Sequence, residues 1–427
     1  MLNRNVAPKI YSPIEFEYNL PDCHQVRFAN GIQLYYYTDS IQPIVQLELV
    51  FKAGLWYESQ AAQASATGAL LKNGTSSKTA FQINEWIEQY GASVKVSVGV
   101  DLASITISCL TKHLSKMLPL VYELLTDAQY PQEELAIYQQ NAKQRLSVNL
   151  LKTDFTANRK IDEFLFGFKH PYGRYVNASD YDNLHPDLLK SFLKKYYQSA
   201  NCTLFMAGSF SEEDIQLIQE VFGMNAWNDA TPVQASSISM ESEAQHKHRI
   251  PHDEKSVQGS IRLASLFPTK HHPDFYPMIV LNTVFGGYFG SRLMSNIREE
   301  KGYTYGIHSY MYNHMQQSAY LITTEAGKDV CEAAIEEIYR EMQLLRDEII
   351  PEEELELVKN YLLGTILGDL DGSFQIMQRW KNLILNGFTK SRFEQNIEIY
   401  KTITSTKLAE LANTYYKPEL FYDVVVA

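Results

Sequence analysis

No uninterrupted apolar stretch of roughly 18 residues occurs anywhere in the 427 residues, which excludes a conventional membrane-spanning helix. Cysteine is scarce: Cys23, Cys109, Cys202 and Cys331 lie far apart with no CxxC pair. That argues against a disulfide framework or a zinc knuckle and predicts small, buried, unpaired side chains. Positive charge is in deficit, with 38 Lys and Arg against 50 Asp and Glu for a net charge of −12. Such a field repels phosphate polymers, no basic cluster overcomes it, and nucleic acid is not an expected partner. The N-terminal MLNRNVAPKIYSP lacks the apolar centre of a secretory signal. The expectation is a soluble cytoplasmic protein with no membrane association, a periplasmic location being left open.

What is present is apolar. Hydrophobic residues make up 45% of the chain, aromatics 12% and charged residues only 21%, enough to bury a core that offsets the entropy of ordering. At about 150 residues per domain the length allows three ordinary units or two large ones. Alternation at Val26, Phe28, Ile32 and Leu34 around an Asn30-Gly31 turn, then at Val45, Leu47, Leu49 and Phe51, predicts a hairpin and a further strand. A run of small residues from 63 to 72 predicts a short, tightly packed helix ended by Gly74. Strands follow at 94–100 and 105–107, then a helix through Leu114, Met117, Leu118, Val121, Leu124 and Leu125.

Pro131 opens a further helix with an acidic first turn, and Pro351 does the same after a second strand and amphipathic helix. A repeat this long predicts a duplicated domain and not a solenoid. The polar stretch 224–249 reads as a connector. The expected organisation is thus a first domain over 1–223, a linker over 224–249 and a second domain over 250–427. Each is α+β, an antiparallel-rich sheet with helices on one face.

Eleven histidines offer metal ligands in principle. His24, His113, His185, His308 and His314 are isolated. His246, His248 and His252 cluster in the connector, where Pro251 breaks the helix that would align them, so they read as solvated linker residues. His271 and His272 precede Pro273 in a loop, and His170 in HPYG reads as local packing. Ser65 as a nucleophile lacks a neighbouring base. The other informative stretch is NTVFGGYFGSRLMSNIREEKGYTYGI, where Gly286, Gly287 and Gly290 precede Arg292 and Arg298 on a helix ending at Gly302. It matches no phosphate-loop pattern. Arg298 and Tyr305 can donate hydrogen bonds to carbonyl oxygens, which suits holding a peptide; pairing with a neighbouring carboxylate and packing in the core is the alternative.

The pieces NGI, GALLKNGT, HPYG, FMAGSFSEEDIQLIQEVFG, EKSVQGSIRLA and above all GGYFGSRLMSNIREEKGYTYGI resemble the pitrilysin/insulinase family of metallopeptidases, over nearly the whole chain. The resemblance implies two homologous α/β sandwich domains facing across a cavity, and, in active members, zinc held by an inverted His-x-x-Glu-His helix and a distal glutamate. In this chain the histidine positions hold Ser65 and Ala69, the glutamate position holds Gly68, and the distal ligand falls near Gln144 or Arg145. No metal is therefore expected here. Arg298 and Tyr305 match the substrate pair of active relatives.

The resemblance thus implies a metal-free, catalytically incomplete subunit of a heterodimer, inactive alone. Its partner would be a homologous zinc-bearing subunit supplying metal and general base, and its substrate a peptide. Self-association is a second arrangement. A non-enzymatic peptide-binding or assembly protein is the alternative function, since peptides dock readily on sheet edges.

Overall fold

The computed structural model describes residues 16–39, 42–234, 238–252 and 256–427. The N-terminal segment read above for a signal, and Glu254 and Lys255 of the EKSVQGSIRLA motif, lie outside the described residues. Two sheets organise the rest. The first contains β1 (His24–Arg27), β2 (Gln33–Thr38), β3 (Ile44–Phe51), β4 (Ser93–Val98), β5 (Ala103–Leu110) and β6 (Cys202–Gly208) in the order β1-β2-β6-β3-β5-β4. The second contains β7 (Lys247–Ile250), β8 (Gln258–Phe267), β9 (Thr304–Asn313), β10 (Ser318–Gly327) and β11 (Tyr422–Val426) in the order β7-β11-β8-β10-β9. Without β1 the two orders correspond strand for strand. The single parallel pair, β2 with β6 and β7 with β11, falls at the same place in each.

Helices of the first half are α1 (Gln63–Ala69), α2 (Ala80–Gln89), α3 (Leu114–Asp127), α4 (Gln132–Asn149), α5 (Thr153–Phe166), α6 (Ala178–Asp182), α7 (Pro186–Tyr196) and α8 (Glu212–Ile218). Those of the second are α9 (Phe275–Asn282), α10 (Cys331–Asp347), α11 (Glu352–Gly368), α12 (Ser373–Leu385), α13 (Lys390–Thr402) and α14 (Ser405–Tyr415). The apolar periodicity explains them. Along β5, Ala103, Ile105, Ile107 and Cys109 are buried while the residues between are half-exposed. The six α3 residues named above are all buried. Pro131 and Pro351 are the N-caps of α4 and α11, in nearly identical backbone conformations (φ −51°, ψ 138° and φ −56°, ψ 142°) and each followed by glutamates that favour the helix N-terminus.

Some expectations need correction. Helix α1 stops at Ala69, not at Gly74, whose φ of +145° shapes a bridge to Thr79 instead. Strand β7 begins at Lys247, inside the stretch read as connector. The cysteines are free, three of them buried and Cys23 half-buried. Among the described residues no helix is long and apolar enough to cross a membrane.

The halves exchange helices. Helix α5 packs on β8 and β11 of the second sheet, whereas α12 packs on β6 and β2 of the first. Ala157, Ile161, Leu165 and Phe166 of α5 share a core with Trp56, Tyr172, Ala264, Leu321 and Val424. Asn158 accepts from Arg262 Nε at 2.6 Å. From the other side, Trp380 Nε1 donates to the Pro21 carbonyl at 2.7 Å and Lys381 pairs with Glu48 at 2.7 Å.

The β9–β10 turn fastens the halves a second time. Met315 N–H donates to Asp101 at 3.0 Å, Gln316 N–H to the Tyr172 hydroxyl at 3.1 Å, and that hydroxyl to Asp101 at 2.7 Å. His314 stacks on Tyr172 with ring centroids 3.9 Å apart, its Nδ1 3.8 Å from Asp101, and its Nε2 has no partner among the described residues. Burial, against the pull of Asp101 and with a push from His170, lowers its pKa from 6.5 to about 4. The unfolded chain therefore binds more protons than the folded one between those values. Stability is full above 6.5 and is lost as pH falls toward about 4. Denaturant titrations at pH 7.5 and pH 5 are expected to show this loss in the native chain and a smaller one in His314→Phe, which keeps the stack but cannot titrate.

Candidate functional site

Helix α1 is made of small residues because it lies close against α7 and the edge strand β4. Ala64, Ala66 and Gly68 are buried, Ser65 is half-buried and Ala69 exposed. A Cβ built at Gly68 would come 2.4 Å from Val98 Cγ2 and 3.4 Å from Val96 Cγ1. Any longer side chain requires β4 or Val98 to move. Behind the helix, Tyr130 donates to the Thr67 carbonyl at 3.3 Å. Tyr197 is fully buried, with a hydroxyl that has no partner among the described residues.

One carboxylate lies beside α1, and sequence reading missed it. Glu58 is buried, accepts from Ala64 N–H at 3.0 Å and from Arg174 at 2.9 Å, and burial raises its carboxyl to about 7 despite both partners. A carboxylate just ahead of a helix start is the signal that could have found it. It is committed to the helix N-terminus and to Arg174. Gln144 is exposed on α4.

Ser65, Gly68, Ala69 and Gln144, where the resemblance puts the zinc ligands and base of active relatives, offer a hydroxyl, no side chain, a methyl group and an amide. Structural zinc draws on the order of 10 to 16 kcal/mol from thiolate, imidazole and carboxylate ligands, which these groups cannot replace. Among the described residues no three His, Cys, Asp or Glu side chains converge as a metal site. The residues present do not fit zinc. No imidazole or carboxylate hydrogen-bonds Ser65 among the described residues, so it has no activating base either.

Histidines in the expected linker are packed, not solvated. His246 stacks on Tyr422 at 4.3 Å and His248 on Phe164 at 3.7 Å, while His252 reaches the Leu150 carbonyl at 2.8 Å. His170 is buried, with Nδ1 accepting from Tyr172 N–H at 3.2 Å.

In the second half the glycines serve close packing. A Cβ at Gly286 would meet Ser309 Oγ at 2.5 Å, and one at Gly287 the Asn282 amide at 2.9 Å. Arg292 is spent on a bidentate pair with Glu354 at 2.9 and 2.8 Å. Arg298 stands on a π-helical segment, Met294–Glu300, anchored by Asn296 donating to Glu337 and Glu341 at 2.9 and 2.7 Å. The segment ends at Gly302, whose φ of +66° suits glycine, and β9 begins at Thr304, so Tyr303 precedes the strand.

A bulge opposite Thr324 and Ala326 then turns Tyr305 outward. Thr304 Oγ1 fills the irregularity, accepting from Gly306 N–H at 3.0 Å and donating to the Glu325 carbonyl at 2.7 Å. Tyr305 is 92% exposed and not in the core. The Arg298 guanidinium lies 4.7 Å above the Phe289 ring and 3.6 Å from Glu299. Both side chains line one open cleft of about 680 Å³ with Gln258, Gly302, Thr304 and Gly327, all from the second half. Of the sequence-derived site residues, the structure brings Arg298 and Tyr305 together; Ser65, Gly68 and Ala69 share α1, and none of them, nor Gln144, lines that cleft.

Residues 183–362 match the model of a family described as the peptidase M16 inactive domain. A Bacillus subtilis protein named an uncharacterised zinc protease is 22% identical over 74% of this chain and 77% of its own length. A Rickettsia bellii protein of the same description is 21% identical over 91% and 94%. Among solved structures, a peptidase M16 inactive domain from Pseudomonas fluorescens aligns with a TM-score of 0.86 at 20% identity, over 95% of this chain and 98% of that one. A protease from Helicobacter pylori gives 0.85 at 17%, over 96% and 100%. The chain is thus similar to peptidase M16 proteins, by the family match over residues 183–362 and by a fold shared over nearly its whole length, and its sequence holds no inverted His-x-x-Glu-His motif.

Proposed function

We propose that this chain is the metal-free subunit of a two-chain zinc metallopeptidase, working in the cytoplasm beside a homologous partner that supplies zinc and general base. Its own contribution is substrate binding through Arg298 and Tyr305. The observation that carries this reading is the contrast between the halves: the α1 positions offer a cation no imidazole or carboxylate, while half-buried Arg298 and exposed Tyr305 line one open cleft. An exposed tyrosine, and a guanidinium held only by the Phe289 ring and a 3.6 Å approach to Glu299, bring little to a monomer's stability, so their presence together on one cleft fits recognition better than architecture.

The chemistry assigned to them is hydrogen-bond donation to peptide carbonyl oxygens. The guanidinium presents its rigid fork and the phenol its O–H, and neither needs to lose a proton. An edge strand such as β9 also offers unpaired backbone groups to an extended peptide.

Three measurements of peptide cleavage test the reading: this chain alone, a zinc-bearing relative of similar length from the same genome alone, and the two co-expressed. Turnover is expected only in the pair. Equal turnover by the zinc-bearing chain without its companion would overturn it.

A further inference from the structure

The helices of the second half form the walls of a half-open pocket that has no part in the reading above. It measures about 350 Å³ and lies between α9, α11, α12 and α13, with the loop from β8 to α9 at one side. Cavities of this size are in the range that takes small organic ligands. Its walls are largely apolar, from Phe275, Ile279, Ile366, Leu383, Phe393 and Ile397.

Two polar groups in this lining, the Lys270 ammonium and the Asn396 side-chain oxygen, have no partner among the described residues. Lys270 is partly buried and makes no ion pair or hydrogen bond among the described residues; burial holds its ammonium below the usual lysine range. The other basic residue on the wall, Arg379, is already bonded to Asp369, so that pair is neutral and the lysine charge is uncompensated. Asn396 bonds Tyr276, yet its Oδ1 is buried and has no partner among the described residues. A half-buried ammonium and a buried carbonyl oxygen are each costly to leave unpaired. Together they ask for an anion and a hydrogen-bond donor, joined to an apolar body.

We infer that this cavity binds a small monocarboxylate that has an apolar body and an N–H or O–H group, its carboxylate on Lys270 and its donor toward Asn396. N-acylated hydrophobic amino acids have this chemistry. The net charge of −12 would keep small anions away from most of the surface, so capture depends on local desolvation and not on long-range attraction.

The probe is N-acetyl-L-phenylalanine, titrated calorimetrically into the full chain, with neutral N-acetyl-L-phenylalaninamide as the comparison. Saturable one-to-one binding of the acid, at least tenfold weaker for the amide and at least tenfold weaker in Lys270→Met, is the expected result. No saturable binding of the acid, equal affinity for acid and amide, or undiminished affinity in a folded Lys270→Met would each overturn the inference. If that variant does not fold, the acid-against-amide comparison on the native chain still decides.

Discussion

Replacing Arg298 by alanine or Tyr305 by phenylalanine is expected to lower kcat/KM of the paired enzyme by roughly 10² to 10³ for each donor removed, or about 3 to 4 kcal/mol of transition-state stabilisation. The stability of the chain should hardly change. Tyr305 is 92% exposed, so Tyr305→Phe removes a hydroxyl and no packing. Arg298 loses a stack on Phe289 and a 3.6 Å approach to Glu299, an exposed pairing of the kind worth about 0 to 1 kcal/mol. The reverse pattern, a falling melting temperature with turnover preserved, would mark the two residues as structural. Steady-state kinetics and thermal melts on the same preparations separate the outcomes.

Phe166→Ala is expected to cost about 3 to 5 kcal/mol, the range for truncating a fully buried aromatic. Its effect should reach both halves. Phe166 is 0% exposed at the end of α5, against the His170 and Tyr172 rings on one side and in the same core as Ala264, Leu321 and Val424 of the second sheet on the other. With α12 docked in the opposite sense, neither sheet has a complete cover made only of its own half. A single denaturation transition shifted to lower denaturant is therefore the expected record. Two transitions, with only the first-half signal displaced, would mean that the exchanged helices do not couple the halves.

The exchange could not be read from the sequence. Residues 153–166 carry an ordinary amphipathic pattern, which specifies a buried face but not the sheet that buries it. The parallel pairs were invisible for a similar reason. β2 meets β6 after more than 160 intervening residues, and no local turn chemistry announces a partner so remote. By contrast, strands β3 to β5, helix α3 and the paired starts at Pro131 and Pro351 were legible, because each rests on periodicity or sterics within a few residues.

The candidate site divides in the same way. The residue types at Ser65, Gly68, Ala69 and Gln144 were legible, and none of them offers an imidazole, thiolate or carboxylate in any fold. The reason Gly68 is glycine was not, because Val98 reaches it only through tertiary packing. Arg298 and Tyr305 were singled out by motif, and they line one cleft. The π-helical segment and the bulge that aim them depend on Asn296 with Glu341 and on Thr304 with Glu325, contacts across 45 and 21 positions. His314 looked like any isolated histidine, and its burial against Asp101 and Tyr172 follows from the docking of one half on the other.

Zinc content decides the remaining question: the purified chain, analysed alone by plasma mass spectrometry after dialysis and again as a complex with its zinc-bearing relative. Near-zero metal in the lone chain and one zinc per heterodimer is the expected result. Stoichiometric zinc retained by the lone chain, and lost on mutation of Ser65 or Gln144, would contradict the assignment of cleavage chemistry to a second polypeptide.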